Sequence, residues 1–360
     1  MDQGLRKGDS TAAVLLEVEA EQTRVLVLGK RIEARSFTAG TFDATVIPPG
    51  ARRVYVTSSF KEASHTLNVL PAARGKTLDL VVSRQVAKTM GGKPSDSRYA
   101  LLGKEGDQNL VHIIAVPRAD LEWLGSRMRS YNLFPSVILT YPLAVALLLK
   151  KLGYFVKDEP LAFAEVRQNE VFFVIYRGEG VAVFRKIPLE MSPGLGWTDT
   201  GAWNRLFQEI FQTFLYFRQR FHGVEVTKIV LAGEKPSDDV LAHMRAVLGA
   251  QIEDLRVSRD LQFTKEIMMK YPALVGLSLV PPNYPLSLVI PSVEEERRRR
   301  ATLMLQYVTI FMVLLVFVVA ASYVFLNKGH LEDTITLLTG QREEYQNRVT
   351  NLSEETKTLP

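Results

Sequence analysis

The chain has 360 residues, 47% of them hydrophobic, which is enough to bury the core of one large domain or two smaller ones. It has no cysteine, which excludes disulfides, thiolate metal sites and cysteine nucleophiles. The formal net charge is +5, and much of it is a run of four arginines at 297–300, so the composition does not require a nucleic-acid partner.

Hydrophobic runs in the first half of the chain predict strands that are followed by helices. Polar turns separate three runs that predict an antiparallel meander, at 12–18, at 24–28 and a third through Phe37. The pattern further predicts strands at 54–58, 78–82, 111–117 and 135–139 and helices at 118–131 and 142–152. We expect a helix start near Arg84 and a flexible loop at 91–97.

The second half of the chain repeats this order. A second meander is predicted at 161–166, 171–176 and 181–187, followed by a strand at 228–233 and helices at 201–221, 238–248 and 267–277. Two meanders that each precede strands and helices indicate a duplicated, two-lobed α/β domain with mixed sheets.

Residues 303–326 form a run of 24 residues without a charged side chain. A bilayer core of about 30 Å needs roughly 20 helical residues, so this run predicts one transmembrane helix. The alternative is a buried helix of a large soluble domain, but such helices are usually shorter and interrupted by polar residues.

The flanks of the apolar run predict its orientation. The arginines at 297–300 directly precede it, whereas only Lys328 follows it before Arg342. The positive-inside rule therefore predicts that residues 1–300 are cytoplasmic and residues 327–360 periplasmic. The alternative for the arginines is a nucleic-acid or nuclear-targeting patch, but their position favours topology and anionic headgroups.

Beyond the run, hydrophobic residues recur at alternating spacings of four and three. They are Leu331, Ile335, Leu338, Tyr345, Val349, Leu352 and Leu359, with Arg342 and Thr356 in the two gaps. This spacing predicts a coiled coil of about four heptads, through which the chain forms a homo- or hetero-oligomer. A lone amphipathic stalk helix is the alternative, because Gly340 and the polar seam positions weaken the pattern.

Several stretches between residues 12 and 280 are similar to the type IV pilus assembly protein PilM and to the cytoplasmic part of the type II secretion protein GspL. They are YNLFPSVILTYPLAVALLL (131–149), AWNRLFQEIFQTFLYFRQ (202–219), KIVLAGEKPSDDVLAHMRAVLGAQIEDL (228–255) and PALVGLSL (272–279). The resemblance implies a duplicated actin-like (RNase H-like) domain over residues 1–280, with the first turn of each half facing a central cleft.

Residues 281–300 are predicted as a linker, and PLSLVIPSVEEERRRR (285–300) resembles the peptide that precedes the membrane helix of PilN. The chain therefore resembles PilM joined to the N-terminal half of PilN. The resemblance implies that the peptide docks in a groove of the actin-like domain through Leu286, Leu288, Val289, Ile290 and Pro291. An ordinary last strand or a simple linker is the alternative.

The implied fold holds nucleotide phosphates with two turns, usually of an Asp-x-Gly kind, in which the carboxylate organises Mg²⁺ and glycine lets backbone N–H groups approach the phosphates. The matching residues here are Glu17, Val18 and Glu19 in the first half and Glu165, Val166 and Arg167 in the second. Charged side chains replace both glycines, and of the glycine pair expected near the adenosine only Gly233 remains. We therefore expect a degenerate cleft without a cofactor, with Mg-ATP binding through Arg167 as the alternative.

Other catalytic motifs are absent from the sequence. It contains no Walker A loop, no GxSxG and no HExxH, and its five histidines have no metal-ligand spacing, so we expect neither catalytic residues nor a metal site.

These observations predict an inner-membrane structural component of a type IV pilus or type II secretion-like machine. Such a component would link a cytoplasmic motor ATPase to a periplasmic coiled-coil partner, among other inner-membrane components of the machine. The alternative is an active, membrane-bound ATPase of the actin superfamily.

Overall fold

The computed structural model describes residues 13–29, 31–38, 41–48, 53–157, 159–191, 199–281 and 283–357. The chain divides into two units, Met1–Val293 and Glu294–Pro360. The first unit therefore extends beyond the predicted boundary at residue 280, and residues 283–293 are part of it instead of a linker.

The first half of this unit contains, in chain order, β1 (Ala13–Val18), β2 (Gln22–Leu28), β3 (Ile32–Thr38), β4 (Arg53–Ser58), β5 (Ser64–Leu70), α1 (Lys76–Thr89), β6 (Ser95–Glu105), β7 (Gln108–Pro117), α2 (Arg118–Ser130), β8 (Val137–Thr140) and α3 (Tyr141–Lys151). The second half contains β9 (Pro160–Val166), β10 (Glu170–Arg177), β11 (Gly180–Pro188), α4 (Thr200–Arg220), β12 (Lys228–Gly233), α5 (Asp238–Leu248), β13 (Gln251–Asp254), α6 (Lys265–Lys270) and α7 (Pro272–Leu277).

Each half is built on a five-stranded sheet of the same design. The strand orders are β3-β2-β1-β4-β8 in the first lobe and β11-β10-β9-β12-β13 in the second. In both sheets the central strand, β1 or β9, is antiparallel to its hairpin neighbour and parallel to the strand on its other side. Both central strands are buried along their whole length, as their continuous apolar runs require. The predicted duplication and both meanders are confirmed.

The first lobe also carries a smaller sheet in the order β5-β7-β6. Here the sequence predictions were partly wrong. Residues 78–82 are not a strand but lie within α1, where Leu78, Val82 and Val86 are buried at a spacing of four residues, as on one face of a helix. The predicted loop at 91–97 runs into β6, which begins at Ser95.

Three other elements differ from the sequence predictions. Neither β5 nor β13 was predicted, and β5 alternates only weakly between buried and partly exposed residues. The helix predicted at 267–277 is two short helices, because Pro272 lacks the N–H that a continuous helix would need and instead starts α7.

The helix α8 (Pro291–Lys357) begins in the last three residues of the first unit and makes up the described part of the second, and its 67 residues correspond to a length of about 100 Å. The predicted apolar run lies inside it. Among the described residues this is one helix whose length and composition would allow it to cross a membrane, and none of its most apolar stretch is buried within the chain.

Candidate functional site

The two turns predicted at the cleft follow β1 and β9. They share one local geometry, since the Glu19 N–H donates to the Gln22 carbonyl and the Arg167 N–H donates to the Glu170 carbonyl, both at 2.9 Å. The positions are equivalent in the repeat, but their side chains differ in charge. The structure brings the two turns together.

Two arginine–glutamate pairs cross between the lobes. Arg167 of the second lobe donates to Glu17 Oε1 of the first at 2.5 Å, and Arg24 of the first lobe donates to Glu165 Oε1 of the second at 2.6 Å. Arg167 also donates to both carboxylate oxygens of Glu165, at 2.7 and 3.0 Å. Tyr141 donates to Glu165 Oε2 at 2.5 Å. We call these five residues the interlobe cluster.

The interlobe cluster is shielded from solvent. Glu17 and Glu165 are 0% exposed, and Arg167 is 6% exposed. The guanidinium carbon of Arg167 lies 3.8 Å from the centre of the Phe172 ring, which is packed edge-to-face against Tyr141. This stacking adds a cation–π contact to the ion pairs and fixes the orientation of the guanidinium.

Burial and charge act differently on the two carboxylates. Burial raises the pKa of Glu17 above its ordinary value of 4.5, and the nearby Arg167 and Arg24 offset this only in part. Burial acts on Glu165 as well, but Arg167 and Arg24 lower the pKa of that carboxyl below 4.5. Glu165 accepts hydrogen bonds on both oxygens, whereas Glu17 Oε2 accepts none from the described residues and lies 3.9 Å from Arg24.

Glu19 makes a third ionic contact between the lobes. Its carboxylate accepts hydrogen bonds from the Ser59 N–H at 2.8 Å and from the Ser59 hydroxyl at 2.5 Å. Lys186 on β11 donates to the same carboxylate at 2.7 Å. Glu19 is therefore neutralised by a residue of the second lobe.

Gly233 ends β12 and lies against the second turn. Its φ is +85°, and a Cβ at this position would lie 2.0 Å from the Val166 carbonyl oxygen. The next residue, Glu234, donates its N–H to that same carbonyl at 2.8 Å. Glycine is thus required here by the close approach of two backbone segments, whatever else the cleft contains.

The sequence matches no protein-family model and no curated protein sequence. Among solved structures, the chain is similar to the PilM-PilN type IV pilus biogenesis complex, with a TM-score of 0.57 at 17% identity over 75% of this chain and 98% of that chain. The chain shares the actin-like fold of that structure.

Two further solved structures resemble the actin-like domain more distantly. One is a Bacteroides thetaiotaomicron protein with an actin-like ATPase fold, with a TM-score of 0.43 at 10% identity over 78% of this chain and 100% of that chain. The other is the cytoplasmic domain of EpsL from the type II secretion system of Vibrio cholerae, with a TM-score of 0.43 at 9% identity over 77% of this chain and 97% of that chain.

The residues of the actin-like cleft do not fit a magnesium nucleotide. Both carboxylates that would organise the metal, Glu17 and Glu165, accept hydrogen bonds from arginine. The N–H groups of Glu19 and Arg167 donate within their own hairpins, so they are not free to bind phosphate. The Arg167 side chain lies between the carboxylates of Glu17 and Glu165 and donates to both.

A second candidate site is the segment that precedes α8. Its side chains alternate between buried and partly exposed, and Leu286, Leu288 and Ile290 are 4%, 3% and 2% exposed in the core of the first lobe. The predicted contact residue Val289 is only partly buried between them. The segment packs on its own domain.

Hydrogen bonds hold this segment between two strands. The Leu288 N–H donates to the Ile138 carbonyl on β8 at 2.9 Å. On the other side, Arg98 on β6 donates to the Ser287 carbonyl at 3.0 Å, and Asp96 accepts from the Val289 N–H at 3.2 Å. The backbone of the segment is therefore paired on both sides.

The segment ends on α2. The Ser292 hydroxyl donates to Glu122 at 2.6 Å and accepts from Arg129 at 2.7 Å. A Cβ on Gly125 would lie 2.8 Å from Ile290, so the glycine lets the segment lie close to the helix. Pro291 begins α8, a position that suits proline because the first helical N–H has no partner within the helix.

The predicted coil residues lie along α8. Exposed fractions are between 57% and 68% for Leu331, Ile335, Leu338, Tyr345 and Val349. The side chain of Leu352 and all of Leu359 lie outside the described residues. The structure shows these side chains unburied within one chain.

Sequence reasoning missed half of the groups at the cleft. It did not identify Arg24, Tyr141, Ser59 or Lys186, each of which contacts one of the predicted carboxylates. Arg24 had a detectable signal, because it is a charge at the start of a predicted apolar strand, and in the structure it lies directly opposite Glu17 in the hairpin register.

Two histidines that lie far apart in the sequence also meet. His65 and His112, on neighbouring strands β5 and β7, are buried with ring nitrogens 3.4 Å apart. Burial lowers the pKa of His112 to about 4, and burial together with His112 lowers that of His65. No group of three or more metal-ligating side chains occurs among the described residues.

Proposed function

We propose that this chain is an inner-membrane structural component of a type IV pilus or type II secretion-like machine, whose actin-like domain serves as a scaffold without ATP hydrolysis. The observation that carries this proposal is the interlobe cluster, because crossed ion pairs occupy the place where the fold would hold nucleotide phosphates. Removing this cluster from water requires that all its charges be paired, and a triphosphate would add negative charge beside Glu17, Glu19 and Glu165.

The likeness to the PilM-PilN complex supports the type of machine. That structure is described as a type IV pilus biogenesis complex, and the similarity covers almost all of the matched chain. In this chain the actin-like domain continues into a long apolar helix. One polypeptide thus combines a domain of this fold with a membrane-spanning segment.

We place the actin-like domain in the cytoplasm and the end of α8 in the periplasm, as the arginines at 297–300 favour. The partners of the domain are then a cytoplasmic motor ATPase and other inner-membrane components, and the partner of the tail is a periplasmic coiled coil. The segment that precedes α8 is held to β8 and β6 of the domain by hydrogen bonds.

Binding of Mg-ATP to the full chain in lipid nanodiscs tests the scaffold. A nucleotide present at a hundredfold its dissociation constant would stabilise the domain by about 2.7 kcal/mol. We expect no rise in melting temperature over Mg²⁺ alone and no phosphate release. A rise together with hydrolysis would support the working ATPase instead.

Reporter fusions test the topology. A reporter that is active only in the periplasm should be active when fused after Pro360 and inactive when fused after Ser292. The opposite pattern would contradict a cytoplasmic actin-like domain. Replacing the four arginines at 297–300 by glutamine should weaken the orientation without preventing insertion, because the apolar run supplies the free energy of insertion.

A further inference from the structure

We propose that α8 pairs in parallel with α8 of a second copy of this chain, along one heptad seam that runs from inside the apolar run to the tail. This inference rests on the single-pass topology proposed above. The oligomer is then a dimer, and the contact between its two copies extends into the bilayer.

The tail has the side-chain order of a two-stranded coil. When Leu331 is assigned to heptad position d, the d positions are Leu331, Leu338, Tyr345 and Leu352, and the a positions are Ile335, Arg342 and Val349. Branched residues at a with leucine at d favour two parallel strands over three or four. Charged residues at a cost stability but fix the register, and here Lys328 and Arg342 both occupy a positions.

The same spacing continues backward into the apolar run. Steps of three and four residues from Leu331 reach Lys328, Val324, Ala321 and Phe317, and α8 is an unbroken helix over this interval, so the register is kept. Transmembrane helices commonly pack with the same left-handed crossing as soluble coiled coils, so one seam can serve both parts.

A shallow groove on α8 coincides with these positions. It is lined by Phe317, Ala320, Ala321, Val324, Phe325 and Lys328, four of which belong to the seam. The alanines have no atoms beyond Cβ, so a second backbone can approach closely between the two phenylalanines. The groove and the heptad spacing are separate observations that identify the same face.

The charges beside the seam allow a second copy. In a parallel pair each g position faces the e position of the next heptad on the other helix, which gives Asn327 with Glu332, Thr334 with Thr339, Gln341 with Gln346 and Arg348 with Ser353. None of these pairs brings like charges together, whereas the two charged a positions, Lys328 and Arg342, each face the same residue of the other copy and reduce the stability of the pair. Lys328, at a seam position, lies 3.7 Å from Glu332 of its own helix, which reduces its repulsion of the same residue in a copy.

A second copy also has its seam residues at the same depth in the membrane. Pairing along both the apolar run and the tail requires a partner whose seam residues lie at the same distances from the membrane surface. A copy inserted in the same orientation meets this condition at every position, and confinement in one membrane raises its effective concentration.

Cysteine crosslinking in the native membrane tests the pairing, since the chain has no cysteine of its own. Two differently tagged full-length copies carry the same single substitution, either at a seam position (Leu338→Cys or Val324→Cys) or at a matched position off the seam (Leu337→Cys or Val319→Cys). All four side chains are between 57% and 65% exposed, so accessibility does not distinguish them. We expect copy-to-copy disulfides at the seam positions to exceed those at the matched positions about tenfold.

A second variant tests whether the seam is one unit. Leu338→Asp in the tail should reduce crosslinking at Val324→Cys in the apolar run about tenfold, whereas Leu337→Asp should leave it unchanged. Equal crosslinking at matched positions, adducts only with another protein, or no effect of Leu338→Asp would each overturn the proposal. Alkaline extraction distinguishes a failure of the pairing from a failure of the proposed function. A chain that stays in the membrane but does not crosslink contradicts the pairing alone. A chain that is released from the membrane contradicts both the pairing and the proposed membrane component.

Discussion

The turns after β1 and β9 occupy equivalent positions in the two halves of the actin-like domain, and their differences make them complementary. Glu17 corresponds to Glu165, but Glu19 corresponds to Arg167, and Arg24 corresponds to Phe172 in the two hairpin registers. If both turns carried only carboxylates, like charges would face each other across the cleft. The two arginines supply the positive charge inside the chain, and each one pairs with the other lobe.

The strand that follows each turn shows a second difference. Gly233 lies beside Val166 in the second lobe, and the corresponding residue of the first lobe is Ser58, next to the Thr57 that pairs with Glu17. Thus the two lobes use different residues to support the same turn. Substitutions at each of these equivalent pairs test whether the two lobes differ in this way.

The largest difference in stability is expected between alanine substitutions at Gly233 and at the equivalent Ser58. Gly233→Ala combines a collision with the Val166 carbonyl and a positive φ, so it should destabilise the domain by at least about 3 kcal/mol. Ser58→Ala removes only a hydrogen bond from the Phe60 N–H and should cost about 1 kcal/mol. Urea unfolding of the full chain in detergent, followed by tryptophan fluorescence, measures both losses of stability. All three tryptophans precede residue 294, so the signal reports on the actin-like domain. Equal midpoints for the two variants would contradict this contrast.

The next largest difference is expected between Arg167 and its equivalent, Glu19. Arg167→Met leaves Glu17 and Glu165 buried with one arginine between them, which should cost about 3–5 kcal/mol. Glu19→Gln keeps an oxygen that can accept from the Ser59 N–H and an NH₂ group that can donate to the Ser59 hydroxyl, so the main loss is the pair with the partly exposed Lys186, at a cost of about 1 kcal/mol. The same urea titration compares them, and a larger loss for Glu19→Gln would show that the cluster is not the main contact.

The smallest effects separate the two equivalent glutamates by pH. The pKa of Glu165 is lowered on folding, so the stability that its ionised form contributes is complete above 4.5 and is lost as pH falls through the lower pKa of the folded state. The pKa of Glu17 is raised on folding, so its ionised form opposes folding at neutral pH, and the penalty disappears as pH falls below the raised value.

Free energies of unfolding measured at several pH values therefore distinguish substitutions of Glu165 from those of Glu17. At pH 7 Glu165→Gln should cost about 1.5–3 kcal/mol, whereas Glu17→Gln should cost less than about 1 kcal/mol. The loss caused by Glu165→Gln should shrink below pH 4.5, and no such decrease is expected for Glu17→Gln. Identical pH profiles for the two variants would mean that the two carboxylates share one environment.

The fold could be predicted because its main signals are local. Apolar runs bounded by polar turns identified both meanders, and β12 and α5 were predicted with the bounds observed. The exceptions are segments whose local signals were ambiguous: four of the five residues at 78–82 are apolar, which suits a strand, although the spacing of Leu78, Val82 and Val86 suits a helix.

The partners at the cleft could not be predicted from local signals. Arg24 and Glu165 are separated by 141 residues, and Tyr141 reaches Glu165 only because α3 begins directly after the edge strand β8. Similarly, residues 281–300, with their prolines and the arginines at 297–300, were predicted as a linker, but the alternation of Leu286, Leu288 and Ile290 matches a strand-like segment buried on one side.

A double-mutant cycle between Glu17 and Arg167 tests whether crossed ion pairs close the cleft, since the two residues touch only if the lobes close on each other. The unfolding free energies of the full chain, of Glu17→Gln, of Arg167→Met and of the double variant give the coupling energy between the lobes. We predict a coupling of about 1–3 kcal/mol, and a comparable value for the second crossed pair, Arg24 and Glu165. Additive effects, within about 0.5 kcal/mol in both cycles, would contradict a cleft closed by crossed ion pairs.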